Sequence, residues 1–412
     1  MSAIPPANFN RGRHYQHGAA LMVMLVILVM GGVVFLVSAL NSATLQIKRD
    51  EITANAMAQA KEALIGFAAT YRDTHPSSGP AYDKMFGYLP CPAIDGNGSA
   101  GNCGATDVTL IGLLPWKTLG LPPLRDGSGE CLWYAVSGRF KNTPKTAVLN
   151  WDTTGQLIVN DASGAILANG VAAIIISPRN VIANQNRTPS GTTQCGGNTT
   201  VAAYLDGGDP IYAGTVPIAN ANTILTVATT SSFNGGTNND RALWITPTEI
   251  FDRIKRRSDF ATDITNLLSD IRDQAYIINS SCGVGTIRAP AAGINDPGTL
   301  GKSIGLAPTI WQNCILANPT LRKAVFDNWR NNILYAVCPG ASACLFVNGS
   351  NCTGAAIFSG EKASGSTRPS ATANDYLEGA NLSAFTTVST NITGIGPYGY
   401  ATSSGDIAIC IP

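Results

Sequence analysis

Ten cysteines carry the most covalent chemistry in this chain: Cys91, Cys103, Cys131, Cys195, Cys282, Cys314, Cys338, Cys344, Cys352 and Cys410. Their number is even, and all of them follow an uncharged apolar segment at residues 19–40. Thiols confined to one side of such a segment fit a domain exported to an oxidising compartment, where they join in pairs. Metal ligation is the competing chemistry, but the spacings are irregular and no CxxC pair occurs, so the usual zinc-ligand pattern is missing. All ten are therefore disulfide candidates, and their connectivity stays open.

Histidine supplies most general bases, and this chain has three: His14, His17 and His75. Only His75 lies beyond the apolar segment. A Ser-His-Asp or Cys-His site would have to be built on that one ring. GxxxxGK[ST] and HExxH patterns are absent. Catalysis by carboxylates alone would need a pair, and the sequence singles out none, so the inventory argues against an enzyme.

Asp95, Asn97 and Ser99 place oxygen atoms at alternate positions between glycines, as a calcium loop would. Thr106 stands where such a loop carries its bidentate Glu. Asp-Gly and Asn-Gly are common turn pairs, so a polar turn is the stronger reading and calcium the weaker. Asp206-Gly-Gly-Asp209 also reads as a turn.

Bulk composition narrows the class. Charged residues make up 13% of the chain, and there are 43 glycines and 23 prolines. That mixture suits a loop-rich α+β protein outside the cytoplasm. The formal net charge is +1, which leaves no basic field for nucleic acid.

These residues must be positioned by a few elements. Residues 19–40 are long enough to cross a ~30 Å hydrocarbon core as a helix. Arg11 and Arg13 precede them, which sets the N-terminus in the cytoplasm and the remainder in the periplasm. Past Asn41 the sequence runs to Arg72 without proline, and Leu45, Ile52, Ala56, Ala60, Leu64, Phe67, Ala68 and Tyr71 fall on one helical face. Together they predict one helix over 19–74, ~80 Å long, membrane-spanning first and amphipathic after. The breakers from His75 to Pro80 end it.

The rest is a disulfide-rich, mainly β head. Segments 146–150, 156–159 and 171–176 read as strands. Thr246-Pro-Thr-Glu249 opens a helix with a capping box, continuing through Ile271, and another helix is expected across 319–334. Three short matches recur in the same order: LWYAV at 132–136 with LYAV at 334–337, the segment from Val171 with that from Gly354, and Tyr204-Leu-Asp with Tyr376-Leu-Glu. They suggest a duplication: a β-rich lobe over 75–245, a connecting helix over 246–275 and a second lobe over 276–412.

The N-terminus resembles a known family. A basic stretch from Arg11 ending in Gly18, followed by Ala19-Ala-Leu-Met-Val23 and the long apolar run, is similar to the leader of type IV pilins and type II secretion pseudopilins. The resemblance covers about 55 residues: the leader glycine, the uninterrupted apolar run and its amphipathic extension. It implies a leader at residues 1–18, removed by prepilin peptidase between Gly18 and Ala19, with methylation of Ala19. It also implies an inner-membrane subunit that packs against other pilins or pseudopilins through its N-terminal helix, with pilin-like sheets in both lobes. Such a protein reaches the cell surface if it assembles into a pilus.

Two positions depart from the family pattern: Ala19 stands where Phe is usual, and Val23 where Glu is usual. In the family that Glu neutralises a neighbour's buried amine, and its loss is associated with the subunit at the filament tip. The expected function is therefore a minor or tip subunit of a pilus or secretion filament, acting in assembly priming, tip capping or contact with a surface or secreted substrate. A singly anchored periplasmic adhesin or binding protein that never polymerises is the alternative.

Overall fold

The computed structural model describes residues 17–75, 85–146, 148–161, 165–182, 185–189, 191, 194–195, 197–206, 218–220, 223–226, 239–281, 303–307, 321–338, 342–362, 365–370, 372–386, 391–392 and 406–412. The chain divides into two units, residues 1–52 and 53–412. The protein is mixed α+β. Its first element is α1 (His17–Thr74).

In the first unit, the described side chains from Leu21 to Val33 are all exposed, as is Phe35. Among the described residues no helix is long and apolar enough to cross a membrane. Leu45 and Ile52, expected on the buried face, are exposed.

In the second unit the remainder of α1 does bury one face: Thr53, Ala56, Met57, Ala60, Leu64, Ile65, Ala68 and Tyr71. Their spacing of three and four is the helical stripe that the sequence predicts.

The first sheet follows. Its strands are β1 (Thr109–Leu113), β2 (Trp133–Val136), β5 (Ala173–Ser177), β6 (Ile218–Asn220) and β8 (Arg241–Ile245), in the order β6-β1-β2-β5-β8 and antiparallel throughout. A smaller sheet joins β3 (Leu157–Asn160) to β4 (Ile166–Val171) antiparallel and to β7 (Thr223–Thr226) parallel. Of residues 146–150, expected as a strand, the described ones (146 and 148–150) pair with no described strand. Their polar groups are taken elsewhere: the Leu149 N–H donates to Asn328 Oδ1 at 2.6 Å, and Asn150 Nδ2 donates to the Asn328 carbonyl at 2.9 Å.

Next come α2 (Pro247–Lys255) and α3 (Ser258–Ser281). The capping box is present, with the Thr246 hydroxyl accepting from the Glu249 N–H and the Glu249 carboxylate from the Thr246 N–H. The single helix expected over 246–275 is therefore two. It breaks at Arg256 and Arg257, where the Arg257 guanidinium turns back to the Ala69 carbonyl and to Asp73.

The second sheet contains β9 (Ser303–Leu306), β10 (Ile333–Val337), β13 (Gly354–Phe358) and β15 (Ile407–Ile411), ordered β15-β13-β10-β9 and antiparallel. The helix expected over 319–334 is α4 (Leu321–Trp329). It stops early because Ile333 already lies in the central strand. Beside this sheet β11 (Leu345–Val347) pairs antiparallel with β12 (Ser350–Cys352) and parallel with β14 (Asn391–Ile392). A short α5 (Gly379–Thr386) precedes β14.

The two halves share a strand order. Reading β1-β2-β5-β8 against β9-β10-β13-β15, the four strands match in order, with β6 added beyond β1 in the first half, and each half adds a small sheet with one antiparallel and one parallel pairing. The three sequence matches fall on β2 and β10, on β5 and β13, and on Tyr204 and Tyr376. Each tyrosine follows a 3-10 turn (Val201–Ala203 and Ala373–Asp375).

Both sheets also lean on one core. Tyr134, Val136 and Ile175 of the first and Tyr335, Val337 and Phe358 of the second share a buried cluster with α1, α2, α3 and α4. Alternate residues face outward to separate cores: Trp133 and Ile174 pack with Tyr204, and Leu334 and Ile357 with Tyr376. This is the period of two that a sheet buried on both faces requires.

Candidate functional site

Four disulfides join cysteines that the sequence proposes: Cys91–Cys103, Cys131–Cys195, Cys338–Cys344 and Cys352–Cys410. Cys282 and Cys314 lie outside the described residues. Gly18 and Ala19 fall in the first turn of α1, and their side chains are outside the description. In the candidate calcium loop, Asp95 Oδ1 accepts from the Asn97 N–H and Oδ2 from the Asn97 amide, both at 3.0 Å. Ser99 is exposed. Those contacts are those of a polar turn. Among the described residues no group of three or more His, Cys, Asp or Glu side chains is placed to hold a metal ion.

His75 is occupied at the end of α1. Its ring stacks on Tyr71 with centroids 4.1 Å apart, and Nδ1 lies 3.0 Å from both the Tyr71 carbonyl and the Thr74 hydroxyl.

The junction between α1 and the following helices is dense in charge. Lys61 pairs with Glu249, Arg253 with Glu62, Arg72 with Asp259 and Asp263, and Arg257 with Asp73 and Asp259. The guanidinium groups of Arg72 and Arg257 both lie against the Phe86 ring, at 4.5 and 4.7 Å from its centre. The hydrogen bond from Arg257, helped by its charge, holds the Asp259 carboxyl below its ordinary value. Burial instead raises Asp263, despite Arg72 beside it. This network fixes residues 61–73 of α1, the C-terminal part of the buried stripe, to α2 and α3.

A second arrangement, not anticipated from sequence, occurs once in each half. Arg187, with its side chain only 3% exposed, spreads over the Tyr204 ring at 5.3 Å from its centre. Nε donates to the Ala203 carbonyl, Nη1 to Arg179, and Nη2 to Pro178 and Tyr204. Arg368, 1% exposed, lies over Tyr376 at 4.8 Å, with Nε donating to the Asp375 carbonyl and Nη1 to Gly360. Arg179 and Gly360 are the second residues past β5 and β13, so the two arginines grip equivalent carbonyls. A buried guanidinium is favoured when its fork of donors is met, as it is at all three nitrogens of Arg187 and at Nε and Nη1, but not Nη2, of Arg368.

Beside each arginine stand two acids. Asp206, two residues past Tyr204, and Asp240, just before β8, bond reciprocally. The Asp206 N–H donates to Asp240 Oδ2 at 2.7 Å, and the Asp240 N–H donates to Asp206 Oδ2 at 3.2 Å. Gln185 Nε2 donates to Asp206 Oδ1 at 2.6 Å. Burial pushes both carboxyls up, and in Asp240, raised well above the ordinary range, the Asp206 charge adds to the effect.

In the second half Glu378 takes the place of Asp206 and Asp406, just before β15, that of Asp240. Asp406 Oδ1 accepts from the Gly360 N–H at 3.0 Å and Oδ2 from Asn381 Nδ2 at 2.9 Å. Burial raises Glu378 to about 7, with the nearby Asp406 charge adding to it, and raises Asp406 to about 6 against the pull of those two donors. The contacts of these carboxyls are with backbone N–H groups and side-chain amides, so they fix backbone and can hold protons.

The sequence carries part of this arrangement. The match of Tyr204-Leu-Asp with Tyr376-Leu-Glu aligns the two acids. The arginines do not align by spacing, since Arg187 lies 16 residues before Ala203 and Arg368 lies 7 before Asp375.

Comparison with protein-family models, curated proteins and solved structures finds no match to this chain.

Proposed function

We propose that the chain is a minor subunit of a type IV pilus or type II secretion filament, cut between Gly18 and Ala19 by prepilin peptidase and held in the inner membrane by residues 19–40. The observation that carries this reading is the division of labour along α1. Its described apolar side chains from Leu21 to Val33 are exposed, while residues 53–71 bury a regular stripe in the head. A run of exposed apolar side chains in water is unfavourable; lipid before assembly and neighbouring subunits after it would cover them.

The head is read as two pilin-like lobes that arose by duplication. Support comes from the shared strand order, the paired small sheets and the repeated Arg–Tyr contact. A head of this size, with Val23 where shaft subunits carry an acid, favours the filament tip. Its work is assembly priming, capping or contact with a surface or secreted substrate, not catalysis.

Quantitative mass spectrometry of sheared filaments tests the position. A tip subunit is present far below the major subunit. Near-equal amounts would remove the tip assignment, and absence from filaments together with an intact leader would favour the anchored, non-polymerising alternative.

A further inference from the structure

Asp406 ties three separate pieces of the second half together: the start of β15, the second residue past β13 through the Gly360 N–H, and α5 through Asn381. Glu378, at the entrance to α5, faces it. Glu378 Oε2 and Arg368 Nη2 are buried and lack a hydrogen-bond partner. A buried carboxylate oxygen with no donor is costly when charged and far less so when the group is protonated.

We propose that Glu378 and Asp406, beside Arg368, form a proton-operated latch on the last strand of the head, closed when the pair holds at least one proton and loosened when both carboxylates are ionised.

Arg368 reaches the pair from the loop before the 3-10 turn, and its Nη1 lies 3.6 Å from Asp152 of the 149–153 loop. Arg368 also donates to the Asp375 carbonyl, covers the Tyr376 ring and adds its charge to the Ser370 hydrogen bond that lowers the Asp375 carboxyl. One buried cation thus serves Asp152, Glu378 and Asp406, so two full negative charges in the pair are not matched. The same construction in the first half, Asp206 and Asp240 with Arg187, Asp126 and Glu130 around it, shows that the paired acids belong to the repeated architecture.

The direction follows from linkage. Both carboxyls bind protons more tightly in the folded chain than in the unfolded one. Their contribution is therefore greatest at acid pH and fades as pH rises through about 6 and about 7.

The experiment is thermal unfolding of the purified full-length chain between pH 5 and 8, wild type against Glu378→Gln/Asp406→Asn. The uncharged pair should melt several degrees above wild type at pH 8, and the gap should close by pH 5. A gap of constant size, or one that grows toward acid, overturns the proposal. Should the double variant fail to fold, Glu378→Gln alone gives the same reading around pH 7. In parallel, amide exchange in β15 of the wild-type chain should quicken from pH 5.5 to 7.5 beyond its intrinsic rate. Unchanged protection in β15 also counts against the latch.

Discussion

Arg187 and Arg368 make the same contact in the two halves of the head: each covers a buried tyrosine ring and donates Nε to the carbonyl of the residue before it. Neither contact needs a neighbour from the other sheet. Each holds the loop past a central strand against the 3-10 turn, so the chain's return to the edge strand is set locally, twice.

Arg187→Met should cost about 2–4 kcal/mol, because several buried carbonyls lose their donor together. Arg187→Lys should recover little, since an ammonium cannot present that planar fork. Urea unfolding of both variants checks this. A loss below about 0.5 kcal/mol for the Met variant would mean that the contact is incidental.

The disulfides can be ranked. Cys131–Cys195 closes a separation of 64 residues and Cys338–Cys344 one of 6. Loop-closure entropy then makes replacement of the first pair by serines more damaging by about 2 kcal/mol. Non-reducing peptide mapping should recover both pairs with Cys91–Cys103 and Cys352–Cys410, and the two double-serine variants should melt in the stated order.

The charge network at the α1 junction should couple, whereas exposed pairs should not. A double-mutant cycle on Arg72 and Asp263, whose side chains are 17% and 14% exposed, should return about 1–3 kcal/mol. Removing the pair Lys48–Glu51, 64% and 56% exposed, should leave stability unchanged within about 0.5 kcal/mol. Equal coupling at both places would deny the junction its role in fixing α1 to the head.

Periodicity and capping made part of this architecture legible. The stripe of Ala56, Ala60, Leu64, Ala68 and Tyr71, the box at Thr246 and Glu249, and the short matches on β2 and β10 all follow local rules. What stayed hidden depends on partners far along the chain. The helix after Thr246 breaks because Arg257 answers to Asp73, and residues 146–150 forgo a strand because Asn328 holds their backbone. The Arg–Tyr–acid clusters escaped because loop length moves each arginine relative to its tyrosine. A periodic reading has no means of seeing side chains that meet only after two sheets have formed.

The account turns most directly on the mature N-terminus. Intact-mass and terminal-peptide measurement of the chain from its native membrane, with and without prepilin peptidase, should show a start at Ala19 carrying one methyl group only when the peptidase is present. A chain that keeps Met1 in both backgrounds, or that begins beyond Leu40, would contradict its place as a filament subunit.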